Sequence, residues 1–151
     1  MQKANLEREA FSRSRFQGRT RDMSKVKVLM IEDNEQNRYL AKFLLEANGF
    51  EVLSAEDGAQ GIDLAAKVIP DLILLDIQLP TMDGYTVVKE LRKNPRLSSV
   101  PVIAVTSYAM PGDKECAIEA GCNGYIEKPI NPETFIKEIE QYILTNQVEH
   151  E

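Results

Sequence analysis

The sequence predicts a doubly wound α/β fold, with one five-stranded parallel sheet and five helices. Three observations predict it. Aliphatic runs recur at Val26–Ile31, Leu72–Leu75 and Val100–Val105, and such unbroken runs read as strands covered on both faces. The stretches between them carry apolar residues at helical spacing and close in Gly or Pro. Polar residues, mostly carboxylates, stand just beyond the runs, where open α/β sheets place their ligand sites.

The chain is organised around PDLILLDIQLPTMDG, Pro70 to Gly84. Leu72 to Leu75 and Ile77 are apolar, and Asp76 closes the run. Pro70-Asp71 marks the turn before it, and Gln78 to Gly84 form the loop after it. A solvated surface Asp fits so apolar a strand poorly. Pro80 and Gly84 read as loop geometry rather than chemistry.

The other elements follow in order. Val26–Ile31 is the first strand and ends in Glu32-Asp33, an adjacent acidic pair that needs something cationic to meet it. The first helix carries Tyr39, Leu40, Phe43, Leu44 and Leu45, read as one inward face, and stops at Gly49. Glu51–Ser54 is a short second strand. Ala55 to Gly58 turn into a helix with Ile62, Leu64, Ala65, Ala66 and Ile69 inward, stopped by Pro70. The third helix runs from about Gly84 to Lys93 with Val87, Val88 and Leu91 inward. Val100–Val105 is the fourth strand, ending in Thr106-Ser107. Pro111-Gly112-Asp113 opens a fourth helix, Lys114 to Ala120. Gly124–Ile126 is the fifth strand and leads into Glu127-Lys128-Pro129. Asn131 caps the last helix, Pro132 takes its first position, and Phe135, Ile136, Ile139, Tyr142 and Ile143 form its stripe.

At 151 residues the chain has the length of one domain with a sizeable core. It divides into a mobile basic N-terminal extension, 1–24, a folded domain, 25–145, and a C-terminal tail, 146–151. Residues 1–22 carry six Lys/Arg against three Asp/Glu, and Met23 is a second plausible start. The rest carries twelve against twenty-one, which argues against nucleic-acid binding by the folded part itself. No apolar stretch is long enough for a membrane span, and the basic N-terminus lacks the apolar core of a secretory signal. Cys116 and Cys122 match no zinc spacing and read as reduced thiols of a cytoplasmic protein. The single His, His150, lies in the tail and is no candidate catalyst.

If the first, third, fourth and fifth strands are neighbours, Glu32, Asp33, Asp76, Thr106, Ser107 and Lys128 converge on one crevice. Three carboxylates repel and require a counter-charge. Lys128 supplies one, and a hard divalent cation, Mg²⁺, supplies the rest. A metal beside a nucleophilic carboxylate suits in-line phosphoryl transfer, with Thr106 bonding the phosphoryl oxygen that Asp76 gains. Taken singly the residues have plainer readings. Thr106 can cap a loop, Tyr125 can be a static core aromatic, and Lys128 can be a solvated charge.

Residues from about 25 to 145 resemble the receiver domain of two-component response regulators, as in the chemotaxis response regulator and other single-domain relays. The resemblance rests on Glu32-Asp33, on Asp76 in LLDIQLPTMDG, on Thr106 after VIAV, and on Lys128 in GCNGYIEKPI. It implies the flavodoxin-like receiver fold and a phosphorylation-controlled switch rather than an enzyme. Asp76 accepts a phosphoryl group from a phosphohistidine on a histidine kinase or histidine phosphotransfer protein. Self-phosphorylation and self-dephosphorylation with Mg²⁺ are expected. Glu32, Asp33, Asp76 and the Gln78 carbonyl hold the Mg²⁺, and Lys128 pairs with the phosphoryl group. Thr106 and Tyr125 form the switch, which reshapes the face of the fourth helix, fifth strand and fifth helix for a downstream protein target or onward transfer. A cis bond before Pro129 is often part of the pattern. A monomer or weak dimer is expected.

Glu32 stands where the family more often has Asp, and Ser107 where a small Ala is frequent. Gln78 and Tyr108 take the positions that set water access, and bulky Tyr108 is expected to slow hydrolysis. The main rival is a phosphatase or phosphotransferase with a nucleophilic Asp. Such enzymes need a second carboxylate two residues on, where Gln78 stands, and a substrate-closing cap. A pseudo-receiver is the other rival, but its usual sign, loss of the acidic pair, the Asp or the Lys, is missing. The last helix is expected to end near Thr145, so output is expected through bound partners. A receiver cut from a hybrid kinase reads the same way.

Overall fold

A computed structural model describes residues 26–107 and 110–149. The expected extension, 1–24, lies outside the described residues. The strands are β1 (Lys27–Ile31), β2 (Glu51–Ala55), β3 (Leu72–Asp76), β4 (Val102–Thr106) and β5 (Gly124–Glu127). The helices are α1 (Glu35–Ala47), α2 (Gly58–Val68), α3 (Gly84–Arg92), α4 (Asp113–Ala120) and α5 (Phe135–Glu149). A short 3₁₀ turn, Pro95–Leu97, follows α3. All pairings are parallel, in the order β2-β1-β3-β4-β5.

The aliphatic runs become inner strands because both of their faces are covered. On one face Val28, Met30, Leu72, Leu74, Ile103 and Val105 pack with Leu45, Phe135 and Ile139 from α1 and α5. On the other Leu29, Ile31, Ile73, Leu75 and Ala104 pack with Ala65, Val87, Val88, Leu91 and Ala117 from α2, α3 and α4. Each Val, Leu, Ile, Met or Phe among them, once buried, contributes about 1.5–3 kcal/mol. Every residue of β3 is buried, including Asp76. The order reverses between β1 and β3, so a crevice opens there beyond the carboxyl ends of the strands.

The first three helices start with side-chain caps at that edge. Asn34, Asp57 and Asp83 accept hydrogen bonds from the amides of Asn37, Gln60 and Thr86. Gly84 opens α3 where a Cβ would lie 2.7 Å from the Ile77 Cα and 2.9 Å from the Asp76 carbonyl oxygen. The tight return of the loop after β3 therefore requires glycine, the geometric role expected of it.

Three expectations change, the smallest being Ala66 of α2, expected inward but exposed. The apolar residues of α1 do not form one inward face. Ala41 and Leu45 are buried and Leu44 half-buried, while Tyr39 and Phe43 are 71% and 58% exposed and Leu40 is exposed as well. At about 100° per residue, Tyr39 and Phe43 lie nearly opposite Ala41 and Leu45. Their rings stack instead on the surface, with centroids 6.3 Å apart. At the other end of the chain, α5 runs past Thr145 to Glu149, so the expected tail is largely helical. Its regular part begins at Phe135, after a turn in which the Asn131 side chain accepts from the Glu133 amide.

Among the described residues no helix is long and apolar enough to cross a membrane. Cys116 and Cys122 are free thiols, the first exposed and the second buried.

Candidate functional site: an acidic crevice at the carboxyl edge of the sheet

β1 ends at Ile31, and the chain leaves the sheet through Glu32 and Asp33. The Glu32 amide still donates to the Ala55 carbonyl at 3.0 Å. β3, the neighbour of β1, ends in Asp76, which is only 4% exposed. Glu32, Asp33 and Asp76 each offer a carboxylate oxygen, all within 4.8 Å of one another. Glu32 is buried like Asp76, and Asp33 faces solvent.

Lys128 reaches this cluster from the end of β5. Its Nζ donates to Glu32 Oε1 at 2.7 Å and stands 3.6 Å from Asp76 Oδ2. Lys128 thus pairs most closely with Glu32, whose extra methylene over an Asp extends its reach to the ammonium. The Lys128–Pro129 peptide is cis, and the Lys128 amide donates to the Thr106 carbonyl at 2.8 Å. The hydrogen bond to Thr106 holds the lysine backbone beside the end of β4.

Burial pushes the Asp76 carboxyl up to about 7. The adjacent Glu32 carboxylate adds to the rise, and the Gln78 amide and Lys128 oppose it. The Gln78 amide donates to Asp76 Oδ1 at 3.0 Å. One lysine does not balance three acids, so the crevice is short of positive charge. All-oxygen donors with one solvent-facing member fit a hard divalent cation such as Mg²⁺.

Thr106 closes β4 and is buried; Ser107 is exposed. Ala104 pairs with Tyr125 and Thr106 with Glu127, so Thr106 and Tyr125 lie on the same face of the sheet. Tyr125 is half-buried, and its hydroxyl is buried without a hydrogen-bond partner among the described residues. Beside it a groove of about 570 Å³ is lined by Met110, Pro111, Lys114, Tyr125 and Glu127. Tyr108 lies outside the described residues.

The structure brings Glu32, Asp33, Asp76 and Lys128 together, with Gln78 and Thr106 adjoining. Sequence reasoning passed over Arg38, whose Nη1 donates to the carbonyls of Glu32 and Asp33 at 2.9 and 3.0 Å. The available signal was an Arg in the first turns of the helix after an acidic pair.

A doubly wound parallel sheet with an acidic crevice at its switch point suits a metal-assisted site. The family model of the response regulator receiver domain matches residues 28–140, and the chain belongs to that family. The polar-differentiation response regulator DivK of Brucella anthropi is 46% identical over 116 residues, 77% of this chain and 94% of that protein. The chemotaxis protein CheY4 of Vibrio cholerae matches with a TM-score of 0.75 at 31% identity, over 78% of this chain and 98% of that one. The receiver domain of the sensor histidine kinase PA1611 of Pseudomonas aeruginosa matches with a TM-score of 0.73 at 33% identity, over 78% and 97% of the two chains. That structure holds a magnesium ion in its active-site cleft. Receiver domains belong to two-component signalling. They bind Mg²⁺ in an acidic pocket and interact with histidine kinases and downstream partners.

Proposed function

We propose that Asp76 is the phosphoacceptor of a two-component switch. The observation that carries this reading is a buried carboxylate at the end of the central strand, 3.6 Å from the Lys128 ammonium and clustered with Glu32 and Asp33. An Asp76 oxygen attacks the phosphorus of a phosphohistidine on a histidine kinase or phosphotransfer protein. The P–O bond forms as the P–N bond breaks, and the imidazole leaves. Asp33, Asp76 and the Gln78 carbonyl are assigned to Mg²⁺, with Glu32 assisting. When bound, the ion supplies charge neutralisation of the phosphoryl oxygens.

Lys128 then moves from the Glu32 pair towards a phosphoryl oxygen. Thr106 donates its hydroxyl to another, and Tyr125 forms the second half of the switch; a buried hydroxyl with no hydrogen-bond partner among the described residues supports that reading. The groove along α4 and β5 supports an output face made of α4, β5 and α5. Partner binding or onward transfer follows from that face, without nucleic-acid contact by the receiver itself.

The test is incubation with Mg²⁺ and acetyl phosphate followed by intact mass, with Asp76→Asn alongside. One phosphoryl adduct is expected, dependent on Mg²⁺ and missing from the variant. An adduct that survives in Asp76→Asn overturns the assignment.

A further inference from the structure

Arg38 stands in the first turns of α1, where its amide donates to the Asn34 carbonyl at 3.0 Å. Its side chain turns back towards the end of β1. One nitrogen, Nη1, donates to the Glu32 carbonyl at 2.9 Å and to the Asp33 carbonyl at 3.0 Å. The other terminal nitrogen stands 3.7 Å from the exposed Glu56 carboxylate on the loop before α2. These two carbonyls belong to the residues that supply two of the three clustered carboxylates, and they lie just past the last ladder bond of β1.

Glu32 and Asp33 are held differently. The Glu32 carboxylate is anchored by Lys128 and by the Asn34 amide at 3.2 Å. Among the described residues the Asp33 carboxylate meets no donor, so its placement is set through its own main chain. Holding the two carbonyls fixes ψ at Glu32 and Asp33, and with it the direction of the Asp33 Cα–Cβ bond.

We propose that Arg38 is a positioning residue for the metal site: it clamps the Glu32 and Asp33 carbonyls and thereby presets the Asp33 carboxylate for a divalent cation. This rests on the Mg²⁺ reading of the acidic crevice. Charge and positioning act with opposite signs here, which makes the role separable. Arg38 is a cation near the cluster, so its removal by itself favours Mg²⁺ binding. Loss of the clamp disfavours it, and partners that orient metal ligands typically contribute about 10–100-fold in affinity.

The experiment compares the full-length wild type with Arg38→Met, Arg38→Lys and Glu56→Gln. Mg²⁺ affinity is read by calorimetry, and hydrogen exchange is read without metal. For Arg38→Met we expect Mg²⁺ binding weakened about tenfold. The Asn34 amide, which donates to Glu32 Oε2, should exchange faster, while that of Ile77, which donates to the Val105 carbonyl, keeps its wild-type rate. Arg38→Lys, which keeps a charged donor without the planar fork, recovers part of both losses. Glu56→Gln, which leaves the carbonyl contacts in place, matches wild type in both. Unchanged or tighter Mg²⁺ binding by Arg38→Met overturns the positioning role. A wild type that binds no Mg²⁺ overturns the metal reading and the positioning role built on it. Unchanged Asn34 exchange in metal-free Arg38→Met overturns the clamp whether or not the metal binds.

Discussion

At the amino-terminal edge of the sheet Arg92 is met entirely by neutral acceptors, whereas at the carboxyl-terminal edge Lys128 is met by an excess of acids. Arg92 donates to the Gly121, Leu97 and Val100 carbonyls and to Asn123 Oδ1, all between 2.7 and 3.0 Å. Asn123 in turn closes the start of β4, accepting from the Val102 amide at 2.9 Å. The planar fork ties the end of α3 to the loops before β4 and β5, and its donors are matched one by one. At the other edge three carboxylates share one lysine, and Asp33 has no protein donor among the described residues. One edge closes the fold, and the other holds an excess of carboxylates that suits a hard divalent cation. Burial alone does not draw that contrast, since each edge holds a buried or half-buried ionisable group.

The strongest way to break the contrast is Arg92→Ala. It strands several carbonyls at once and should lower unfolding free energy by about 3 kcal/mol in urea denaturation. Mg²⁺ binding by the folded protein should stay within about twofold of wild type, since variants at distant sites act independently. A near-neutral Arg92→Ala would mean that this edge is not the fastening it looks like.

Asp76→Asn tests the other edge and should act in the opposite direction. Burial raises the Asp76 carboxyl from its ordinary range to about 7. Between pH ~4 and that value the folded protein holds a proton that the unfolded chain has released. Stability should therefore fall as pH rises through this window and level off above it. Asn never ionises, so the variant should gain about 1–3 kcal/mol over wild type at pH 8 and nothing below pH ~4, without Mg²⁺. Unfolding curves at several pH values check this; a pH-independent difference would place the cause elsewhere than in buried charge.

Mg²⁺ at about ten times its dissociation constant should stabilise the wild type by about 1.4 kcal/mol. Chelation should reverse the gain, and Asp33→Asn should lack it. The smallest effect is expected from Phe43→Ser on the outer face of α1. Its stability should stay within about 0.5 kcal/mol of wild type, because the ring is already exposed. A larger loss would show that the stacked Tyr39–Phe43 pair contributes to the fold.

The fold was legible because its signals are local. Short unbroken aliphatic runs such as Leu72–Leu75, bounded by turn residues, read as strands with two covered faces, and the glycines and prolines between them mark where elements stop. The placement of Glu32, Asp33, Asp76, Thr106 and Lys128 at or just beyond strand ends was legible for the same reason. A strand end is a position in sequence as much as in space, and a parallel sheet brings all its strand ends to one edge.

Tertiary structure decided which groups meet. Strand order made β1 and β3 neighbours and so drew the acidic pair onto Asp76. Lys128 lies closer to Glu32 than to Asp76 because of side-chain reach across the crevice, a quantity with no counterpart in spacing. Packing chose Ala41 and Leu45 as the buried side of α1 and left Tyr39 and Phe43 outside, although all four are apolar. The forks of Arg38 and Arg92 were invisible for a related reason. Their partners are mainly backbone carbonyls, which every residue carries, so no residue type announces them. Sequence determines what each segment is and which chemistry stands at its ends; only the folded arrangement determines distances, and charge responds to distance.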